Sequence, residues 1–216
     1  MAALEGKRFM PGGRFGVRFE GMKRFLGAMT ILAAVGLAQA QQTQKAPPAA
    51  AQPAAQAAGA EAGGLSWTAP KEWEALPARP MRAATYRIAP AKGDTEPAEL
   101  AVFYFGQGQG GAVDANVKRW VGQFQKADGT ALTDKDVRTK KETLNGLAVT
   151  TVDVKGTYTG GGPMMGPSSP KPGSRLLGII VEGPEGPLFF KLTGAERTVA
   201  GAEKGFRKLV ESVKKK

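Results

Sequence analysis

The sequence predicts an α+β fold, a mainly antiparallel sheet sandwiched by helices on both faces. Three observations carry this. Residues 99–105 (ELAVFYF) place Leu100, Val102 and Tyr104 on one side and Ala101, Phe103 and Phe105 on the other, the pattern of a mid-sheet strand covered on both faces. Residues 137–158 and 175–194 each read as two strands around a turn, which makes the sheet antiparallel. Two amphipathic stripes, in 113–125 and 198–213, supply the helical layers.

The elements follow in order. Residues 81–89 (MRAATYRIA) alternate as a strand. The buried strand 99–105 comes next, and then a glycine-rich turn. The helix expected over 113–125 carries Val113, Val117, Trp120, Val121 and Phe124 on its core face, with Asp114 at its N-cap or in its first turn. Asn145-Gly146 joins the first strand pair tightly. Residues 159–173 (TGGGPMMGPSSPKPG) are too long and too rich in Gly and Pro for a tight hairpin and read as a mobile loop. The second pair turns through Gly183-Pro184-Glu185-Gly186-Pro187. The last helix, 198–213, buries Val199, Ala202, Phe206, Leu209, Val210 and Val213, with Thr198 as its cap.

Upstream of this unit, Met22-Lys23-Arg24-Phe25, the apolar run 26–38 and Ala38-Gln39-Ala40 form the three regions of a secretory signal cut after Ala40. Met22 is the expected true start, with residues 1–21 an upstream extension. Residues 41–64 are rich in Ala, Pro and Gln and poor in large apolar side chains, and so read as a disordered linker. The globular domain is expected over 65–213, followed by a basic tail, 214–216. The formal charge is +11. Without residues 1–40, which hold six Lys/Arg and two Asp/Glu, 24 basic residues face 17 acidic ones, a net +7. These charges are dispersed, and an exported chain rarely meets nucleic acid, so no nucleic-acid partner is expected, nor any membrane span after signal removal.

The chain has no Cys and no His. Cys/His zinc sites, disulfides and His-assisted nucleophilic catalysis are thereby excluded. Gly106-x-Gly108-x-x-Gly111 follows a strand and precedes a helix, the local order of a dinucleotide-binding turn. That fold next needs a parallel strand ending in an acid. The chain instead continues into polar KADGTALTDKD and a hairpin. No nucleotide cofactor is expected, and the glycines read as a flexible strand-to-helix connection. Met164 and Met165 offer soft sulfur without His or Cys, and no metal site is expected. Asp128, Asp134 and Asp136 read as solvated turn residues, since the segment lacks the glycine and terminal Glu of a calcium loop. Ser66, Ser168, Ser169, Ser174 and Ser212 sit in no nucleophile motif, and no catalytic residue is assigned.

Several stretches occur in an order that resembles an uncharacterised family of exported bacterial proteins: LSWTAPKEW (65–73), MRAATY (81–86), ANVKRWVGQF (115–124), GTY (156–158) and FFKLTG (189–194). The W-x-x-P…W opening and the A-N-V-x-R-W-x-x-Q helix carry the likeness. Lys118 departs from the family's usual Asn before the Arg, at a position expected to face solvent. The element order further resembles the PsbP-like α/β/α sandwich, which implies an accessory or interaction module.

Asn116, Arg119 and Gln123 fall together on a flank of the Trp120 stripe. They form either a polar groove that grips a carboxylate or peptide backbone, with Arg119 bidentate, or a tie between the helix and loop 106–111. Trp67 and Trp73, on either side of Pro70, form either an aromatic clasp closing the core or a platform on which a ligand stacks. The expected function is a periplasmic or secreted, non-enzymatic accessory domain whose partner is a protein or small ligand of the cell envelope. The alternatives are a small-ligand or peptide-binding module using Asn116, Arg119 and Gln123, or a hydrolase.

Overall fold

A computed structural model describes residues 60–160 and 169–216. The signal sequence, the Met22 start, the linker before Ala60, and Met164, Met165 and Ser168 therefore lie outside the described residues.

The chain opens with β1 (Ala60–Ala62) and β2 (Leu65–Trp67), paired through a Gly63-Gly64 turn with φ of 59° and 71°. The linker expected to run to residue 64 thus ends earlier, because these glycines fold its last residues back onto the buried Leu65 and Trp67. Next come β3 (Glu74–Ala75), β4 (Arg82–Ile88) and β5 (Ala98–Tyr104). Helix α1 (Val113–Val121) is shorter than the stripe suggested. It stops at Gly122, and Phe124 and Gln125 form a strand, β6, opposite Tyr158 and Thr157. Phe124 still reaches the same apolar cluster as Trp120, but from a strand.

After a 3-10 turn at Asp134–Asp136 come β7 (Val137–Leu144), β8 (Leu147–Tyr158), β9 (Lys171–Gly183) and β10 (Gly186–Ala195). Strand β9 begins inside the expected loop 159–173, since Lys171 pairs with Tyr158. The β7–β8 turn is Asn145-Gly146, with φ of 52° and 72°, the positive values that this dipeptide tolerates best. Helix α2 (Glu196–Glu211) starts two residues earlier than expected, and β11 (Lys214–Lys215) ends the chain. The expected basic tail is that strand: Lys214 and Lys215 pair with Ser66 and Leu65, and Lys216 meets Glu61 at 2.5 Å.

Among the described residues the main sheet has the order β3-β4-β5-β10-β9-β8-β6, with β7 also paired to β8, and every pairing is antiparallel. Strand β5 lies inside it, between β4 and β10, as its two apolar faces require. A second, three-stranded sheet joins β1, β2 and β11. Strand residues alternate between two buried clusters. Leu177, Ile179 and Val181 of β9 share one with all six apolar residues of the final helical stripe; Leu176 and Ile180 share the other with Trp120 and Phe124. Arg175, 8% exposed, ties α2 to the sheet through Asp153 at 2.8 and 2.9 Å and Glu203 at 2.9 Å.

Two helix ends are satisfied from elsewhere in the chain. The residue before α2 is Ala195, which cannot cap, and Thr198 lies inside the first turn. The Asp94 carboxylate accepts from the Thr198 N–H at 3.0 Å and its hydroxyl at 2.6 Å, doing from a distant loop what the expected Thr198 cap does not. At the other end Asn145 Nδ2 donates to the carbonyls of Glu211 and Val213 at 2.9 and 2.8 Å.

Candidate functional site

The sequence-predicted flank of α1 divides into two contacts. Asn116 is 2% exposed. Its Nδ2 donates to the carbonyls of Gly110 (2.8 Å) and Ala112 (3.0 Å), and its Oδ1 accepts from Arg119 at 2.7 Å. Asn116 therefore ties the helix to the glycine loop, where Gly106, Gly108, Gly110 and Gly111 all have positive φ. Arg119 is exposed and turned back onto Asn116. Gln123 points elsewhere: its Oε1 accepts from Lys191 at 2.6 Å, and its backbone carbonyl accepts from the Thr159 N–H at 2.9 Å. The three residues do not converge on one groove.

Both candidate tryptophans belong to the core. Trp67, 1% exposed, donates from Nε1 to the Tyr86 hydroxyl at 3.2 Å and meets Phe190 edge-on at 5.4 Å. Trp73, 6% exposed, packs against Tyr86 and under Gly205 of α2, where a Cβ would approach its ring to 3.2 Å. This is the clasp arrangement. A ligand stacking on either ring would have to displace core side chains.

The acidic cluster consists of two local turns. Asp136 accepts from the Thr133 hydroxyl (2.7 Å) and N–H (2.8 Å), which, with Lys126 at 3.2 Å, hold its carboxyl down to about 2. Asp128 is lowered in the same way by Thr130. Among the described residues no group of three or more Asp or Glu is placed to hold a metal.

A cleft of about 540 Å³ lies elsewhere, between loop 93–97 and the first residues of β9. Glu99, Thr193, Ser174 and Tyr158 line it from four adjacent strands. Its rim carries the Glu96–Lys171 ion pair. Glu99 accepts from Arg82 at 2.7 Å and Arg79 at 3.4 Å, and Arg82 also covers the Phe103 ring at 5.5 Å.

Tyr158 connects this cleft to a part-buried lysine. Lys191 Nζ lies 5.5 Å from the Tyr158 ring centroid and donates to Gln123. Burial first, then the nearby Arg82 charge, pull its ammonium down to about 8 against the opposing pull of Glu99. Burial and the Glu99 charge raise the Tyr158 phenol, with Lys171 opposing.

The sequence reading named none of Lys191, Tyr158, Glu99 or Arg82 as a site residue. One signal was present: FFKLTG puts a lysine in an otherwise apolar strand, on the same side as Phe189. The neighbours in space of that lysine come from the segment after α1 and from three other strands, which no local pattern reveals.

No family model matches this chain, and no curated protein matches it. Among solved structures it is similar to PA94 from Pseudomonas aeruginosa, a protein of unknown function, at 14% identity and a TM-score of 0.38, over 59% of this chain and 78% of that one. It is also similar to the cyanobacterial PsbP protein (CyanoP) from Synechocystis sp. PCC 6803, at 13% identity and a TM-score of 0.43, over 71% of this chain and 88% of that one.

Proposed function

We propose that this chain is an exported, non-enzymatic interaction domain that engages its partner through the cleft between loop 93–97 and the start of β9. In this reading the fold is an α/β/α sandwich of the PsbP-like kind, with α1 and α2 on opposite faces. Support for the sandwich is the alternation of Leu176 and Ile180 with Leu177 and Ile179 between the two helix-containing clusters. Support for export is the basic, apolar and small-residue succession over 22–40.

The observation that carries the interaction role is the commitment of the cleft's charged side chains. Glu99 is held by Arg82 and Arg79, Glu96 by Lys171, Arg175 by Asp153 and Glu203, and Asp94 by Thr198. Groups fixed in pairs present a shaped, mixed-charge surface, as a recognition site needs. A general acid or base needs a proton-transfer group poised to act on substrate.

The test is affinity capture from a periplasmic extract, with the mature chain as bait. Lys171→Glu, which reverses one charge on the rim, is expected to lose the partner. Arg119→Ala, on α1, is expected to retain it. Capture that survives Lys171→Glu but fails with Arg119→Ala would move the interaction to the flank of α1.

A further inference from the structure

We propose that two copies of this chain join edge to edge along β7, antiparallel, with Lys141 of each copy at the two-fold axis. This surface is separate from the cleft: β7 and the groove beside it share no residue with the cleft lining. The first ground is an open edge. The two-residue turn at Asn145-Gly146 makes Leu144 and Leu147 a hydrogen-bonded pair. Such pairs alternate along the ladder, so Arg138, Lys140 and Glu142 bond to β8. The N–H and C=O groups of Thr139, Lys141 and Thr143 therefore point outward, and all three residues are exposed. Among the described residues nothing bonds to those outward groups.

The second ground is charge. A two-fold pairing must set outward groups against outward groups, which leaves registers centred on Lys140, Lys141 or Glu142. Centring on Lys140 sets two lysines opposite each other, and centring on Glu142 sets two glutamates. Centring on Lys141 sets Lys140 of each copy opposite Glu142 of the other, in the closer, non-hydrogen-bonded positions. Lys140 and Glu142 already bond at 2.6 Å within a copy, so the axis joins two such pairs into a ring of alternating charge. This register also sets Thr139 against Thr143 twice and uses every outward group of both copies. The two Lys141 side chains meet on the other face, where each lies 3.4 Å from Asp114 of its own α1. Edge lysines ordinarily keep strands apart. Here Lys140 meets an acid, so the same lysines reject unlike edges and admit this one.

The third ground is the groove at the end of β7. Leu144, Leu177, Ile179, Phe206 and Val210 line a space of about 140 Å³, with Glu211 beside them. The register sets Arg138 of the second copy opposite Leu144, with its hydrocarbon stem over the groove and its guanidinium toward Glu211. Within one chain neither Arg138 nor Glu211 has an ionic partner among the described residues.

Sedimentation of the mature chain is expected to show a monomer–dimer equilibrium with a Kd of about 10–100 μM, since one strand pairing is a small interface. Lys140→Glu alone and Glu142→Lys alone each set like charges face to face and should weaken the dimer at least about tenfold. Mixed together, the two variants should associate at near-parental affinity, because each Glu then faces a Lys. Lys141→Cys, in a chain with no other Cys, should form an oxidised dimer at least about tenfold faster than Lys118→Cys on the exposed side of α1. A chain that stays monomeric to about 0.5 mM overturns the proposal and leaves β7 open to a strand of another protein. So does a dimer that survives both single reversals, a mixture that fails to associate, or Lys141→Cys that crosslinks no faster than Lys118→Cys. The cysteine comparison keeps the test decisive if a charge reversal prevents folding.

Discussion

Gly178 and Trp120 should behave as one packing unit. Gly178 lies on β9 opposite Lys191 of β10 and Val152 of β8. A Cβ built there would lie 2.5 Å from Cε3 of the Trp120 ring, far inside the roughly 3.5–4.0 Å of carbon–carbon contact. Gly178→Ala therefore forces the indole, and α1 with it, off the sheet. Overpacking of this kind costs about 1–3 kcal/mol. Trp120 is 6% exposed and meets Phe189 edge-on at 6.4 Å, so Trp120→Ala should cost about 3–5 kcal/mol by cavity formation. In the double variant the added methyl enters the space the indole vacated. Its penalty should vanish or reverse, leaving the pair less destabilised than the sum of the singles by about 1–3 kcal/mol. Urea melts of the three variants and the parent measure this cycle. Additive losses would refute the view that Gly178 is a glycine because Trp120 lies on it.

Asn116→Ala should destabilise the domain by about 1–3 kcal/mol, because the Gly110 carbonyl loses its buried donor; Arg119→Ala should cost within about 1 kcal/mol, and denaturant midpoints distinguish them. Asp94→Ala removes the acceptor from the first turn of α2 and should cost about 0.5–2 kcal/mol, with faster amide exchange at Thr198. The pH dependence of stability should carry a mark of Lys191. Its folded value, about 8, lies below the ordinary 10.5, so between these values the unfolded chain binds the extra proton and stability rises with pH. Urea midpoints from pH 7.5 to 9.5 should rise more steeply in the parent than in Lys191→Met; parallel slopes would contradict the assignment.

The strands and helices were legible because each states its own burial. The two apolar faces of 99–105 required a place inside the sheet, and β5 lies between β4 and β10. The stripe 199–213 and the Asn145-Gly146 turn are likewise local signals, the first set by the helical repeat and the second by positive φ. What local pattern missed was decided by pairing between distant segments. Ala60–Ala62 and Lys214–Lys215 have no strand-like sequence and become strands because β2 offers an edge to each. Helix α1 ends at Val121, although its apolar stripe continues to Phe124, because Phe124 and Gln125 find partners in β8. The site followed the same division. Sequence spacing grouped Asn116, Arg119 and Gln123 on one flank, but the fold spent Asn116 on the glycine loop and turned Gln123 to Lys191. The Lys191, Tyr158, Glu99 and Arg82 layer exists only where β4, β5, β10, β9 and β8 lie side by side. A sequence fixes the period of its own side chains, whereas the charges that face one another across a sheet are set by register, and register is a property of the whole fold.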